Sequence, residues 1–186
     1  MTDQEREYKV VNDTAVAYLQ SPYSDLCLTA IQQYDQGYGG AKRHHNYLGG
    51  LAVHVADVVR RCLEFSGAEQ GCGGDLTVLL VAAYWHDYGK LAEYALAPDG
   101  AAIVTTSYSK LVSHVVGSTY EFLAAVRGAD IAEADHQATV DAIVHCMLAH
   151  HGRKEWGSPV EPATNEAWIL HAADMMSSRE GALNGL

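Results

Sequence analysis

The stretch LTVLLVAAYWHDYGK, residues 76–90, decides the fold. A helix over 76–86 is apolar on every face, so it has no side to offer water and must form the buried centre of the protein. It ends in WHDYGK, where Asp87 follows His86. A carboxylate at the end of such a helix is costly to bury without a partner, and a cation would supply one. The alternative is an aspartate that ends the helix beside a core histidine.

Outward from this segment, helical periodicity dominates. Residues 5–20 and 24–35 read as amphipathic helices, the second after the Ser21-Pro22 break. Residues 36–45, QGYGGAKRHH, form a Gly-rich basic loop. Over 50–65 the residues Leu51, Ala52, Val55, Val58, Val59 and Cys62 make one stripe, with Asp57, Arg60 and Glu64 opposite and His54 at the rim. Residues 92–107 are strand-like, with Asp99-Gly100 as a hairpin turn. Helices resume over 110–127, 135–150 and 163–178. The expected fold class is all-α, a helical bundle with a small β-hairpin excursion. The 186 residues suit one domain, with 1–40 as N-terminal helices and 41–186 as a metal-binding core.

With 48% apolar and 19% charged residues, the composition is that of an ordinary globular protein. The longest apolar run, TVLLVAAYW, is too short to span a membrane, and the start lacks a basic stretch followed by an apolar one; the expected location is the cytoplasm, with no membrane partner. Cys27, Cys62, Cys72 and Cys146 are widely spaced without a C-x-x-C pair, which suits reduced thiols. The net charge of −11 repels polyanions unless bound divalent cations reverse the sign locally.

The ten histidines are the unusual part of the composition. His54, His86-Asp87, His114, His150 and Asp174 lie near the apolar sides of five helices. Imidazole mixed with carboxylate suits Mn, Fe, Co, Ni or Zn, whereas Mg prefers sites built from oxygen alone. His114 and His150 also fit as plain core histidines.

The motifs HHNYLGGLAVHV (44–55), WHDYGK (85–90), the SH of LVSHVVGS (111–118) and AHHGRKEWGSPVEPATNEAWILHAAD (149–174) carry a resemblance. The sequence resembles the HD-domain metal-dependent phosphohydrolases, whose pattern is H…HD…D with two further histidines in two-metal members. Within that superfamily it is most similar to the HD domain of bacterial 3′-to-5′ exoribonucleases that join an OB-fold to an HD domain. The resemblance covers roughly residue 40 to the end. It implies one or two divalent ions, the first held by His54, His86, Asp87 and Asp174, the second by His114 and His150 with Asp87 bridging. Two such cations about 3.5–4 Å apart hold a hydroxide for in-line attack on a phosphoester.

Further roles follow for the neighbours of this set. His151 cannot share the direction of His150 on a helix, so it faces substrate or protonates the leaving oxygen; a capping role is the alternative. His171, one turn before Asp174, either orients it or bonds backbone. Lys90 meets a phosphate, with Arg153 and Lys154 as helpers. Lys42, Arg43, His44 and His45 form a substrate-side rim, although His45 also fits as a structural residue packing beside Tyr47. Gly49-Gly50 lets the loop pass close to the metals.

The expected activity is hydrolysis of phosphoester bonds in nucleotides or short oligonucleotides with a free 3′ end, through a metal-activated hydroxide. Alternatives are a 3′-to-5′ exoribonuclease on longer RNA, a dNTP triphosphohydrolase, an HD-fold di-iron oxygenase and a non-catalytic nucleotide-binding module. The first forty residues are too few and too helical in pattern for a five-stranded OB domain. No stable complex with long nucleic acid is therefore expected, and self-association is left open. With only Lys42, Arg43, Lys90, Arg153 and Lys154 to hold phosphates, this chain should bind a single-stranded oligonucleotide with a log–log salt slope shallower than about −2. A steeper slope in a salt titration would reveal a nucleic-acid groove.

Overall fold

The all-apolar helix does lie at the centre of the computed structural model, which describes residues 3–40, 45–67, 74–129 and 136–183. In chain order the elements are α1 (Asp3–Ala17), α2 (Tyr23–Ile31), α3 (Gly50–Ser66), α4 (Leu76–Trp85), a one-turn α5 (Lys90–Glu93), β1 (Tyr94–Leu96), β2 (Ile103–Thr105), α6 (Ser107–Leu111), α7 (His114–Gly128), α8 (Gln137–Ala149) and α9 (Asn165–Leu183). Helix α4 packs against α2, α3, α7, α8 and α9. Every residue from Val78 through Trp85 is buried. Helix α3 packs against α1, α4 and α9. The result is the all-α bundle expected from the sequence.

The hairpin excursion is antiparallel, with Tyr94 opposite Thr105 and Leu96 opposite Ile103. Asp99 Oδ1 accepts from the Ala101 N–H at 3.0 Å, and Gly100 takes a φ of 70°, which L side chains rarely adopt. Two helical readings change. The segment read as a helix over 24–35 ends at Ile31, and residues 34–36 form a 3₁₀ turn. The segment read over 110–127 is two helices, broken at Ser113, whose φ is 69°. Glu93 explains the break: its Oε2 accepts from the His114 N–H at 2.7 Å, satisfying a donor that a continuous helix would have used.

Asp75 starts α4 by accepting from the N–H groups of Thr77 and Val78, and Glu166 of α9 accepts from the Asp75 N–H at 2.7 Å. Cys27, Cys62 and Cys146 are free and buried, and burial raises each thiol pKa, as suits unreactive reduced cysteines. Cys72 lies outside the described residues. Among the described residues no helix is long and apolar enough to cross a membrane.

Leu80 is fully buried, so Leu80→Ala should cost about 2–5 kcal/mol of stability. Asp75→Ala should cost about 1 kcal/mol through the lost cap. Urea unfolding measures both, and equal losses would contradict this ranking of core over cap.

Candidate metal centre

Five helix segments bring their polar residues to one buried point. His54 comes from the middle of α3, His86 and Asp87 from the end of α4, His114 from the first residue of α7, His150 and His151 from the end of α8, and Asp174 from α9. Asp87 is at the middle, and its two oxygens face different ways. Oδ2 is 3.0 Å from His54 Nε2 and 3.3 Å from His86 Nε2, while Oδ1 is 3.6 Å from His114 Nε2 and 3.8 Å from His150 Nε2. His54 Nε2 is also 3.2 Å from Asp174 Oδ1. Donor atoms of His54, His86, Asp87 and Asp174 lie within 4.8 Å of one another, as do those of His114, His150 and His151.

The imidazoles are aimed by what their other nitrogen bonds. His86 Nδ1 is 2.8 Å from Ala83 O and His150 Nδ1 is 2.6 Å from Met147 O, each a carbonyl three residues back. A carbonyl only accepts, so Nδ1 carries the proton and Nε2 presents a lone pair to the centre. The same holds for His151, whose Nδ1 donates to Trp156 O at 3.0 Å. His114 Nδ1 donates to the Glu93 carboxylate at 2.9 Å. His54 Nδ1 is 3.1 Å from Ser177 Oγ, and Ser177 in turn bonds Asp57, which is held by Arg60 and Arg61.

These lone pairs converge without protein partners. His114 Nε2 and His151 Nε2 are 3.2 Å apart, two acceptors facing each other. His54 Nε2, His86 Nε2, His150 Nε2 and both Asp87 oxygens are buried without hydrogen-bond partners; the other such side-chain atoms among the described residues are Trp85 Nε1 and Ser158 Oγ. Buried acceptors arranged in this way need a cation, and the two groups fit divalent ions.

The electrostatics are those of a centre that stays ionised. Burial works against charge on Asp87, but the Lys90 ammonium and His86 outweigh it and hold the carboxyl well below its ordinary range. Asp174 is lowered in the same way, burial being overcome by His54. Burial opposes the charged form of His54 too, yet Asp174 and Asp87 raise its pKa. His150 and His151 move the other way, both lowered by burial and then by a neighbouring imidazole.

Lys90 is 8% exposed, with its Nζ 2.5 Å from Asp87 Oδ2 and donating to Gly39 O at 3.0 Å. It is thus tied to the aspartate as an ion pair, short but without hydrogen-bond geometry. His45 has a φ of 50°, and its ring centroid is 5.6 Å from that of His54 and 6.4 Å from that of Tyr47. Arg153 and Lys154 are exposed at the rim. Lys42, Arg43 and His44 lie outside the described residues. His171 donates from Nδ1 to His150 O at 2.8 Å, whereas Asp174 Oδ1 accepts from Ser178 at 3.3 Å.

Two expectations shift with the backbone. His150 and His151 were expected to diverge as consecutive helical residues, but α8 ends at Ala149 and their ring centroids are 4.3 Å apart. Gly50 makes room for the His45 backbone: a Cβ there would stand 2.1 Å from His45 O. Gly89 has the comparable role in WHDYGK, where a Cβ would meet His114 O at 2.6 Å and block the approach of α7. Sequence reading missed Glu93 and Ser177. A glutamate three residues after Lys90 carried no signal of its partner, and neither did a serine three residues after Asp174.

The HD domain family model matches residues 51–178, which include all the residues of both donor groups. Among curated proteins, the chain is 29% identical over 153 residues to the 3′-5′ exoribonuclease YhaM of Shouchella clausii, covering 80% of this chain and 44% of that one. It is 32% identical over 145 residues to the protein of the same name from Listeria monocytogenes serovar 1/2a, covering 76% and 42%. The chain therefore spans less than half the length of the curated relatives it matches. No solved structure matches it. With well over half its length matched by the family model, and with His54, His86, Asp87, His114, His150 and Asp174 gathered at one buried centre, this chain belongs to the HD domain family.

Proposed function

We propose that the chain is a metal-dependent phosphohydrolase cleaving phosphoester bonds of nucleotides or short oligonucleotides with a free 3′ end. The observation that carries this reading is the convergence of four Nε2 atoms, those of His54, His86, His114 and His150, on the two oxygens of Asp87, each imidazole held through Nδ1. In this reading His54, His86, Asp87 and Asp174 would hold one ion, and His114, His150 and Asp87 would hold a second. His151 Nε2 belongs to the second group by position. The mixed imidazole and carboxylate donors favour Mn, Fe, Co, Ni or Zn over Mg. Bound there, the ions supply Lewis-acid polarisation of a phosphoryl oxygen and a water made nucleophilic at neutral pH.

The chain's own residues do the rest. Asp87 stays ionised because Lys90 neutralises part of the buried charge, so Lys90 acts first on the aspartate and only through it on a phosphate. Arg153 and Lys154 meet phosphate oxygens at the rim, and the region of His45 closes the other side. His151, the partly buried member of the second group, is the candidate proton carrier for the leaving oxygen. A second reading, exonucleolytic cleavage of longer RNA from its 3′ end, is favoured by the names of the relatives. Incubating Mn-loaded protein with NMPs, dNTPs, dinucleotides and 5′-labelled RNA separates the two: mononucleotides and short oligomers turned over at least as well as long RNA support the first, and a processive ladder supports the second.

Asp87→Ala should abolish hydrolysis and strip most bound metal, as read by metal analysis. Near-normal metal content with activity retained would remove Asp87 from the centre. His114→Ala and His150→Ala should each lose about one equivalent while the first group stays filled. If saturating Mn or Fe never loads more than one ion into the native protein, the two-ion mechanism is wrong.

The anchors give a finer test. Ser177→Ala should weaken the ion held by His54, and Glu93→Gln the ion held by His114, each by about 10–100-fold. Calorimetric titration resolves the two sites, and a variant that weakens both equally would show general unfolding rather than loss of an anchor.

A further inference from the structure

Beside the centre lies a cleft of about 280 Å³ whose lining includes His151 and Asp174 together with Trp156, His171, Met175 and Arg179. Trp156 is 51% exposed and Trp168 is 55% exposed. The rings of Trp156 and His171 are near parallel, 30° apart in plane with centroids 6.1 Å apart, and Trp168 meets His171 edge-on at 6.0 Å. His171 is held in this place by its bond to His150 O. The Arg153 guanidinium sits 5.1 Å from the centre of the Trp156 ring. A cleft with aromatic rings in its lining, a guanidinium over the indole and metal-type donors in the same lining fits a ligand that carries a planar ring and an anion a short distance apart.

We propose that this cleft is a nucleobase subsite, in which the base of the nucleotide under attack stacks against the Trp156 and His171 rings while its phosphate extends toward the two donor groups to which Asp174 and His151 belong. The proposal rests on the phosphohydrolase reading above and gives that site its substrate recognition. Stacking accepts any base because every base has a π-face, so purines and pyrimidines should bind within a few-fold of one another. Arg153 and Arg179 favour the anionic nucleotide over the free nucleoside, and the cation over the indole adds to the affinity of the assembled platform.

The test compares ligands with and without a base on the full chain loaded with Mn(II). The probes are the methylene phosphonate analogues of AMP, of UMP and of ribose 5-phosphate, none of which can lose its phosphate by hydrolysis. Calorimetry should show both base-bearing analogues binding roughly five- to a hundredfold more tightly than the ribose analogue. Trp156→Ala should remove most of that advantage while leaving the ribose analogue's affinity unchanged, and Trp156→Phe should restore it. Equal binding of the three analogues by the native protein would overturn the proposal without any variant, as would an advantage that survives in Trp156→Ala. The outcome is separable from that for the proposed activity. A base advantage in a protein that hydrolyses nothing keeps the subsite and removes the hydrolase, whereas hydrolysis with no base advantage does the reverse.

Discussion

The structure depends on one buried carboxylate. Asp87 is 1% exposed and sits at the end of the helix that five others surround. A charge in that position is tolerated only where cations or donors face it from every side. Lys90 supplies one such partner from the next turn, and the imidazoles of α3, α4, α7 and α8 frame the remaining positions, which fit bound cations. The folding core and the chemical centre are therefore the same place: the contacts that bury α4 are the contacts that gather the donors. Any element that failed to dock on α4 would remove both packing and a donor.

What turns gathered histidines into a centre is the anchoring of Nδ1, and the protein achieves it by inexpensive means. His86 and His150 both sit just past the last residue of a helix, where backbone carbonyls lack helical partners, so each ring bonds the carbonyl three residues before it. His114 uses the opposite end of a helix, with Glu93 taking both its amide and its ring. Only His54, in mid-helix, needs a longer chain of support through Ser177 and Asp57 to Arg60 and Arg61. Helix ends thus aim three of the imidazoles, since α4 and α8 stop and α7 starts at the centre, while α3 and α9 run past it unbroken.

That distinction also explains what could be read from the sequence. The central helix was legible because an all-round apolar segment has one stable location, and the gathered histidines and aspartates were legible because their motifs are local. The break before His114 was not, since its cause is Glu93, twenty-one residues earlier, and the hydrophobic pattern over 110–127 runs through it unchanged. The convergence of His150 and His151 was hidden for a similar reason. The argument that neighbouring residues diverge holds inside a helix, and α8 ends one residue too soon for it. Ser177 belongs to a partnership spanning 123 residues, which periodicity within one helix has no means of showing.

Helix α9 links the centre to its surroundings. His171, Asp174 and Ser178 follow one another at spacings of three and four residues, so they lie along one face. From that face Asp174 meets His54, Ser178 bonds Asp174, and His171 both fixes the backbone at His150 and stands beside Trp156. Ser177, one residue off this row, reaches the other nitrogen of His54. A rigid helix of this kind cannot move its cleft residues without moving a carboxylate and an imidazole anchor at the same time. The position of a ring in the cleft and the alignment of the donors are thereby set by a single piece of backbone, and its register against α3 decides both.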